Sequence, residues 1–212
     1  MTPPGDAAVC DEPAADAGPW LVVGLGNPGP SYAGTRHNVG ALVVDVLAAR
    51  VRATWRRHRT GRADAAEGRL GAPGTAGGGC RLVLMKPRSF MNESGGSVSA
   101  VAAYVSVPPA RIVAVHDELD LPFGSLRVKL GGGDNGHNGL KSMRRSLGTG
   151  DFLRVRVGIG RPPGQQAPAD FVLSGWSGAE RRALGPQVEW AADAVESVIV
   201  RGVERTQNDV NS

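Results

Sequence analysis

Residues 21–38 read LVVGLGNPGPSYAGTRHN, an apolar run that ends in a cluster of Gly, Asn and His. Three later segments follow the same rule, with apolar residues first and Gly, Asn, His or Asp last: residues 82–96, 112–124 and 129–142. Apolar runs of this kind predict buried strands. Because open α/β sheets place their sites at strand ends, the clusters predict one pocket of amide, imidazole and carboxylate groups. We expect that pocket to perform general-base hydrolysis.

Strand and helix patterns alternate along the chain. The predicted helices span residues 38–50, 93–105, 138–147 and 177–203. The last of these helices is long and amphipathic, with an expected break near Gly185 and Pro186. Residues 125–130 (SLRVKL) alternate between polar and apolar and predict a half-exposed edge strand. The alternation indicates an α/β class: a single-domain, three-layer α/β/α fold around a central mixed, largely parallel twisted sheet.

The composition bounds the class of protein. At 212 residues and 41% hydrophobic content, the chain suits one domain with a packed core. Residues 1–18 are acidic and rich in Pro and Ala, which predicts a disordered tail before a domain over residues 19–212, and residues 71–79 predict a flexible loop. The tail lacks the features of a signal peptide and no apolar stretch suits a membrane span, so we expect a cytoplasmic protein with no membrane partner.

The charge balance mildly favours a polyanionic partner, because the net charge is +4. Only three of the 24 basic residues are lysines, and each lies in or beside a polar cluster: Lys86, Lys129 and Lys141.

Residues 24–29 (GLGNPG) match the GxGxxG pattern of dinucleotide-binding proteins and follow a predicted strand. That pattern requires a helix N-terminus aimed at the pyrophosphate, whereas Pro28, Pro30 and Gly34 intervene before any predicted helix. Pro28 also removes one backbone donor. A nucleotide-dependent oxidoreductase is therefore an alternative that the flanking residues disfavour.

Three histidines compete for the role of general base, since imidazole suits proton transfer near neutral pH. His37 lies where the first loop enters a predicted helix, His116 ends an apolar strand, and His137 lies in a Gly-His-Asn-Gly sequence. Asp117 is placed to hold a histidine by accepting its second ring proton. His58 lies in an Arg-rich stretch and is predicted at the surface. The pattern alone leaves the other three histidines unranked.

Other residues of the clusters allow either a binding role or a purely structural one. Asn27 can donate to an acyl oxygen and accept from an attacking water, although Asn before Pro is a common turn former. Asn92 can bind a ligand or cap the helix that follows it, and Met91 suits a pliable apolar wall. Lys129 and Arg156 lie on alternating strands with basic polar faces, which suits phosphate binding but equally a solvated surface.

Together these segments closely resemble bacterial peptidyl-tRNA hydrolases. The resemblance runs from residue 21 to about residue 199 and rests on five motifs in the same order: GLGNPGPSYAGTRHNVG, KPRSFMNESGG, HDELDLPFG, RVKLGGGDNGHNGLKS and DFLRVRVGIGRP. The acidic tail is extra, and the loop over 71–79 is longer than is usual in the family. A plant organelle branch of the family binds RNA as a splicing factor with little or no hydrolysis, so a non-catalytic RNA-binding relative is the second hypothesis.

The resemblance implies hydrolysis of the ester between a peptide and the 3′ ribose of tRNA, by a cytoplasmic monomer with no metal and no cofactor. It implies His37 as the catalytic base, Asp117 as the carboxylate that orients this base, and Asn27 as the amide that positions the ester and water. An intact set of these three favours hydrolysis over RNA binding alone. The implied substrate contacts are Asn92 and Asn138 for the peptide, Tyr32 and Met91 for the cleft walls, and Lys129 with Arg156 for the tRNA 5′ phosphate.

Overall fold

A seven-stranded mixed sheet forms the centre of the computed structural model, which describes residues 18–71 and 79–211. The strands are β1 (Trp20–Gly24), β2 (Arg56–Arg57), β3 (Ala63–Leu70), β4 (Cys80–Pro87), β5 (Ile112–Glu118), β6 (Leu126–Leu130) and β7 (Leu153–Gly158). Their order in the sheet is β2-β3-β4-β1-β5-β7-β6. Strands β4, β1, β5 and β7 run parallel to one another, while β2, β3 and β6 extend the two edges with antiparallel pairings.

Helices cover both faces of this sheet. They are α1 (Val39–Arg50), α2 (Ser94–Tyr104), α3 (Asn138–Leu147), α4 (Pro168–Val172), α5 (Gly178–Arg201) and α6 (Val203–Val210). One apolar cluster includes residues of α1 and α5, and a second cluster includes residues of α2 and α3. Short 3-10 turns precede α1 and α2 at Arg36–Asn38 and Met91–Glu93. The predicted three-layer α/β/α class is confirmed.

Helix α1 approaches the sheet closely because Gly40 has no side chain. A Cβ atom at this position would lie 2.2 Å from the backbone oxygen of Val115 on β5. The approach places the turn before α1, which carries His37, beside the carboxyl ends of β1 and β5. The parallel strands and one glycine thus set the position of the first polar cluster.

The long C-terminal helix differs from its prediction. Helix α5 runs unbroken from Gly178 to Arg201 and includes Pro186. Pro186 is exposed, so the carbonyl that it leaves without a helical partner can bond to water, and the helix tolerates it. The chain breaks instead at Gly202, whose φ of 84° suits glycine, and α6 follows.

Helix α6 protects the edge strand β6. Leu126 and Val128 of this strand are buried and Arg127 and Lys129 are exposed, as the alternating sequence predicts, whereas Leu130 at the end of the strand is exposed. Asn211, just after α6, accepts from the backbone N–H of Val128 at 2.8 Å and donates to its carbonyl at 2.9 Å. These bonds occupy backbone groups that an open edge would offer to another chain.

Two predicted segments fall mainly outside the described residues, namely the tail over 1–18 and the loop over 71–79, of which only residues 18, 71 and 79 are described. Across residues 18–71 and 79–211, no helix combines the length and apolar character that crossing a membrane requires.

Candidate active site

A histidine and a carboxylate meet at the carboxyl end of the sheet. His37 lies in the turn before α1, and Asp117 lies near the end of β5. The Nδ1 atom of His37 is 2.9 Å from Oδ1 and 3.0 Å from Oδ2 of Asp117. The His37 side chain is 10% exposed and the Asp117 side chain 2% exposed. The fold therefore brings together two residues that lie 80 positions apart in the sequence.

Arg36 anchors the turn that carries His37. Its guanidinium donates to Ser174 Oγ at 2.7 Å and to Glu180 Oε2 at 2.7 Å, and it stacks over the ring of Phe171. Glu180 also belongs to the capping box that begins α5. This buried arginine ties the His37 turn to the start of α5, and because Ser174 lies 138 residues further along the chain, no local pattern predicts the contact.

Asn27 is held in a fixed orientation by two neighbours. The Asn38 side chain makes two hydrogen bonds to the backbone of Asn27. Its Oδ1 accepts from the Asn27 N–H at 2.9 Å, and its Nδ2 donates to the Asn27 carbonyl at 2.9 Å. The side-chain Oδ1 of Asn27 accepts from the backbone N–H of Met91 at 2.8 Å. Since that N–H can only donate, the carboxamide orientation follows, and its NH2 group is left as the donor that a substrate can use.

His137 is a second donor to Asp117. Its Nε2 lies 2.9 Å from Oδ1 of Asp117, while its Nδ1 accepts from the backbone N–H groups of Gly139 and Leu140 as the N-cap of α3. Backbone N–H groups donate, so Nδ1 carries no proton and Nε2 carries the proton that Asp117 accepts. Protonating Nδ1 would break the cap and place positive charge at the positive end of a helix. His137 therefore has no available basic nitrogen.

His116 is a poor base for a different reason. Its Nδ1 lies 2.7 Å from the backbone oxygen of Asp117 and must donate there. Burial lowers the pKa of His116 to about 3. Its Nε2 is thus weakly basic and shielded from solvent. His37, whose Nδ1–H faces Asp117, keeps Nε2 as an acceptor.

Asp117 stays ionised at neutral pH. Burial alone would raise its pKa, but the hydrogen bonds that His137 and His37 donate hold the pKa well below its usual range. The carboxylate fixes the tautomer of both histidines and can stabilise a protonated His37.

The same three side chains could also hold a metal ion. One ligand atom each from His37, Asp117 and His137 lies within 4.8 Å of the others. The three residues lie in three separate segments of the sequence, so they do not form a short motif of the kind that marks many metal sites. In the described arrangement, the histidine nitrogens nearest the carboxylate donate hydrogen bonds to it.

The remaining predicted site residues differ in their exposure. Met91 is buried, and Tyr32 is half-buried with its ring edge-on to Phe90 at a centroid distance of 6.2 Å. Asn92 and Asn138 are exposed near the starts of α2 and α3. The alternative that Asn92 caps a helix is wrong, since Glu93 occupies the N-cap position of α2.

A groove of about 310 Å³ opens beside Asn27, which is large enough for a small ligand. Two ion pairs line its far side: Lys86 with Asp45 at 2.7 Å and Arg88 with Asp64 at 3.0 Å.

The basic strand faces are only partly as predicted. Lys129 is exposed on β6, and Nε of Arg156 on β7 lies 2.9 Å from Oε2 of the buried Glu118. Arg154 is not part of a solvated face, because it is 3% exposed. The glycine-rich segment folds over its guanidinium, which donates to the carbonyls of Gly132, Gly133 and Gly150.

His58 is likewise not at the surface. It is 9% exposed and packs edge-on against Tyr104 of α2 at a centroid distance of 4.9 Å. The antiparallel pairing of β2 with β3 folds this Arg-rich stretch back onto the sheet.

We expect the folded protein to lose stability in acid, because it buries His116 in its neutral form and Asp117 in its ionised form. Because the folded state holds the pKa of His116 near 3 against an ordinary 6.5, the unfolded chain binds one more proton between these values. The free energy of unfolding should therefore fall as the pH drops, by about 1.4 kcal/mol per pH unit for this group. Urea unfolding between about pH 6.5 and 5, where most carboxylates stay ionised, measures the slope. His116→Gln should flatten it and His58→Gln should not; an unchanged slope in His116→Gln would contradict the assignment.

Fold and site together define an α/β protein with a carboxylate-held histidine and an amide donor at the carboxyl end of a parallel sheet. Comparison with known proteins agrees: the chain matches the family model of peptidyl-tRNA hydrolase over residues 21–212 and belongs to this family. The family predicted from the five motifs is thus confirmed.

Individual relatives cover nearly the whole chain. It is 59% identical over 193 residues to the peptidyl-tRNA hydrolase of Frankia alni, covering 91% of this chain and 94% of that one. It is 58% identical over 198 residues to that of Streptomyces coelicolor, covering 93% and 98%. The crystal structure of the peptidyl-tRNA hydrolase from Acinetobacter baumannii matches with a TM-score of 0.82 at 32% identity, covering 92% of this chain and 95% of that one.

Proposed function

We propose that this chain hydrolyses the ester between a peptide, or an N-blocked aminoacyl group, and the 3′ ribose of tRNA, and so recycles tRNA from peptidyl-tRNA released by stalled ribosomes. The observation that carries the proposal is the hydrogen bonding of the three candidate histidines. Asp117 holds His37 through Nδ1 and leaves Nε2 available, whereas His116 and His137 offer no comparable nitrogen. An ester is an activated acyl group, so one general base acting on water is enough.

The proposed mechanism uses the side chains of His37, Asp117 and Asn27. Nε2 of His37 takes a proton from water as the water oxygen attacks the ester carbonyl. Asp117 stabilises the imidazolium, and the NH2 group of Asn27 donates to the developing oxyanion. The imidazolium then protonates the departing 3′ oxygen. The products are a peptide carboxylate and a tRNA with a free 3′ hydroxyl.

We propose that Asn92 and Asn138 bind backbone amides of the peptide. Both are exposed at starts of helices on the same side of the sheet, where their carboxamides can donate and accept. Backbone recognition allows any peptide sequence, and a free α-amino group would meet no matching partner. Tyr32 and the buried Met91 supply the apolar walls near the tRNA 3′ end.

The substrate requirement tests this function. N-acetyl-aminoacyl-tRNA and the unblocked aminoacyl-tRNA are incubated with the protein, and free tRNA is measured over time. We expect release from the blocked substrate and little from the unblocked one. Binding of the blocked substrate without release would instead support the RNA-binding hypothesis, and tight binding of a nicotinamide nucleotide in a titration would support the oxidoreductase.

We propose that Lys129 and Arg156 bind the tRNA 5′ phosphate. Lys129 is exposed and has its charge available, whereas Arg156 is ion-paired to Glu118. Removing Arg156 would leave a buried carboxylate without its cation, so Lys129→Ala is the cleaner variant.

Lys129→Ala should raise KM for intact N-acetyl-aminoacyl-tRNA by about fivefold to tenfold and leave kcat nearly unchanged, because a phosphate contact contributes uniform binding. A short 3′ fragment without the 5′ phosphate should react almost normally. The salt dependence of KM for intact tRNA should become shallower. Arg81→Ala, which removes an arginine paired with Glu67 on β3, is the control. Equal losses on both substrates would contradict the phosphate contact.

We also propose that the enzyme acts in the cytoplasm, where ribosomes produce peptidyl-tRNA, and that it acts as a monomer. All proposed catalytic side chains come from one chain, so no second copy is needed to complete the site. Light scattering at working concentration measures the mass, and a dimer would contradict the monomer.

A further inference from the structure

A small polar cavity lies beneath the glycine-rich segment over residues 131–133. Its volume is about 20 Å³, which is enough for one water molecule. His116 of β5 and Arg154 of β7 both line it, with Leu140 of α3 as an apolar wall and Gly133 at its upper side. The mechanism above uses neither His116 nor Arg154.

Two buried atoms of these lining residues have no hydrogen-bond partner within residues 18–71 and 79–211: Nε2 of His116 and Nε of Arg154. Nε2 of His116 can only accept, because Nδ1 carries the proton that Asp117 accepts. Nε of Arg154 can only donate. Buried polar atoms in folded proteins nearly always have a partner, and here an acceptor and a donor without partners belong to two residues that line the same cavity.

We propose that one ordered water occupies this cavity, accepts from Nε–H of Arg154 and donates to Nε2 of His116, and that His116 thereby acts as a positioning residue for Asp117. The chain of hydrogen bonds continues on both sides of this water. Arg154 donates to the carbonyl of Gly132 at 2.8 Å, and His116 donates to the backbone oxygen of Asp117 at 2.7 Å. The water therefore joins the loop beside Lys129 to the residue that orients His37.

The hydrogen-bonding needs of the two atoms favour a neutral occupant. A fully deprotonated anion could accept from Nε–H of Arg154 but has no proton to donate to Nε2 of His116. A neutral molecule that both donates and accepts satisfies both orphan atoms, and water fits the cavity volume of about 20 Å³.

A crystal structure of the protein, at a resolution where ordered waters are resolved, tests the water itself. We expect one density peak at about 3 Å from both Nε2 of His116 and Nε of Arg154. A dry cavity, or a peak that reaches only one of the two atoms, would overturn the proposal. This readout does not depend on the proposed function.

The positioning role rests on the proposed function. Two variants test it, each of which keeps a polar group near only one of the two ring nitrogens of His116. His116→Asn keeps a donor near the Nδ1 position and removes the group at Nε2, whereas His116→Gln retains a polar group near Nε2. We expect His116→Asn to lower kcat about tenfold with KM unchanged, because misplacing Asp117 affects the chemical step. His116→Gln should lower kcat as well, because it keeps a polar group for the water but loses the donor to the Asp117 backbone oxygen.

His58→Asn is the matched control, since it removes another buried histidine outside the site and should leave kcat unchanged. Equal kcat in the wild type and His116→Asn, per folded molecule, would overturn the positioning role. If His116→Asn does not fold, the density peak still tests the water, and the kcat of His116→Gln still tests the positioning role. An inactive wild type would contradict the proposed function and leave the crystallographic result standing.

Discussion

Replacing His37 with alanine is expected to lower kcat on N-acetyl-aminoacyl-tRNA by about two to four orders of magnitude, the usual cost of losing a general base. The fold should survive, because Asp117 keeps its hydrogen bond to His137 and is not left as an unpaired buried charge. KM should change little, since His37 acts on water. Single-turnover rates measure the loss, and urea unfolding checks stability.

His58→Ala provides the control for this variant. It removes a histidine of similar burial that contacts Thr60 and Tyr104, away from the carboxyl end of β5. We expect it to reduce stability and keep the rate. A His37→Ala protein that is folded and within tenfold of the wild-type rate would contradict the assignment of the base.

Replacing Asp117 with asparagine should lower kcat by about three to four orders of magnitude, because an amide neither fixes the His37 tautomer nor stabilises its protonated form. The two histidines present N–H donors to both carboxylate oxygens. The NH2 group of an asparagine would therefore face a donor, and this buried mismatch should cost about 1–3 kcal/mol of stability.

Single-turnover kinetics and urea unfolding of Asp117→Asn measure both effects. Asp193→Asn, which removes a surface carboxylate paired with Arg50, is the control and should change neither by much. A folded Asp117→Asn enzyme with near wild-type kcat would mean that the carboxylate is structural only.

Local patterns predicted much of the fold. The apolar runs that form β1 and β5, the alternation of β6 and the apolar face of α3 are each visible in a window of a few residues, as are the polar clusters that follow them. The expected break at Pro186 fails because exposure, a tertiary property, decides whether a helix tolerates proline.

The site was predicted less completely, because its chemistry depends on which atom meets each ring nitrogen. His37, His116 and His137 are equivalent in the sequence. Their ranking follows from the Asp117 carboxylate, the Asp117 backbone oxygen and the N-terminus of α3, which only the folded chain brings together. The resemblance to a family supplied the ranking without this reason.

Arg36 and Arg154 show the same limit. Both look like surface charges in a basic chain, yet each is buried and bonds to backbone oxygens or side chains of segments distant from its own strand or turn. No local pattern pairs these arginines with the groups that bind them. Their roles in holding the site are set by tertiary packing.

Chemical rescue by imidazole tests the central claim most directly, namely that His37 alone among the three candidate histidines is the general base. His37→Ala, His116→Ala and His137→Ala are each given N-acetyl-aminoacyl-tRNA with increasing free imidazole at constant pH and ionic strength. We predict that the rate of His37→Ala rises with the concentration of unprotonated imidazole, while the rates of the other two variants do not respond. Rescue of His116→Ala or His137→Ala, with His37→Ala unresponsive, would contradict the account.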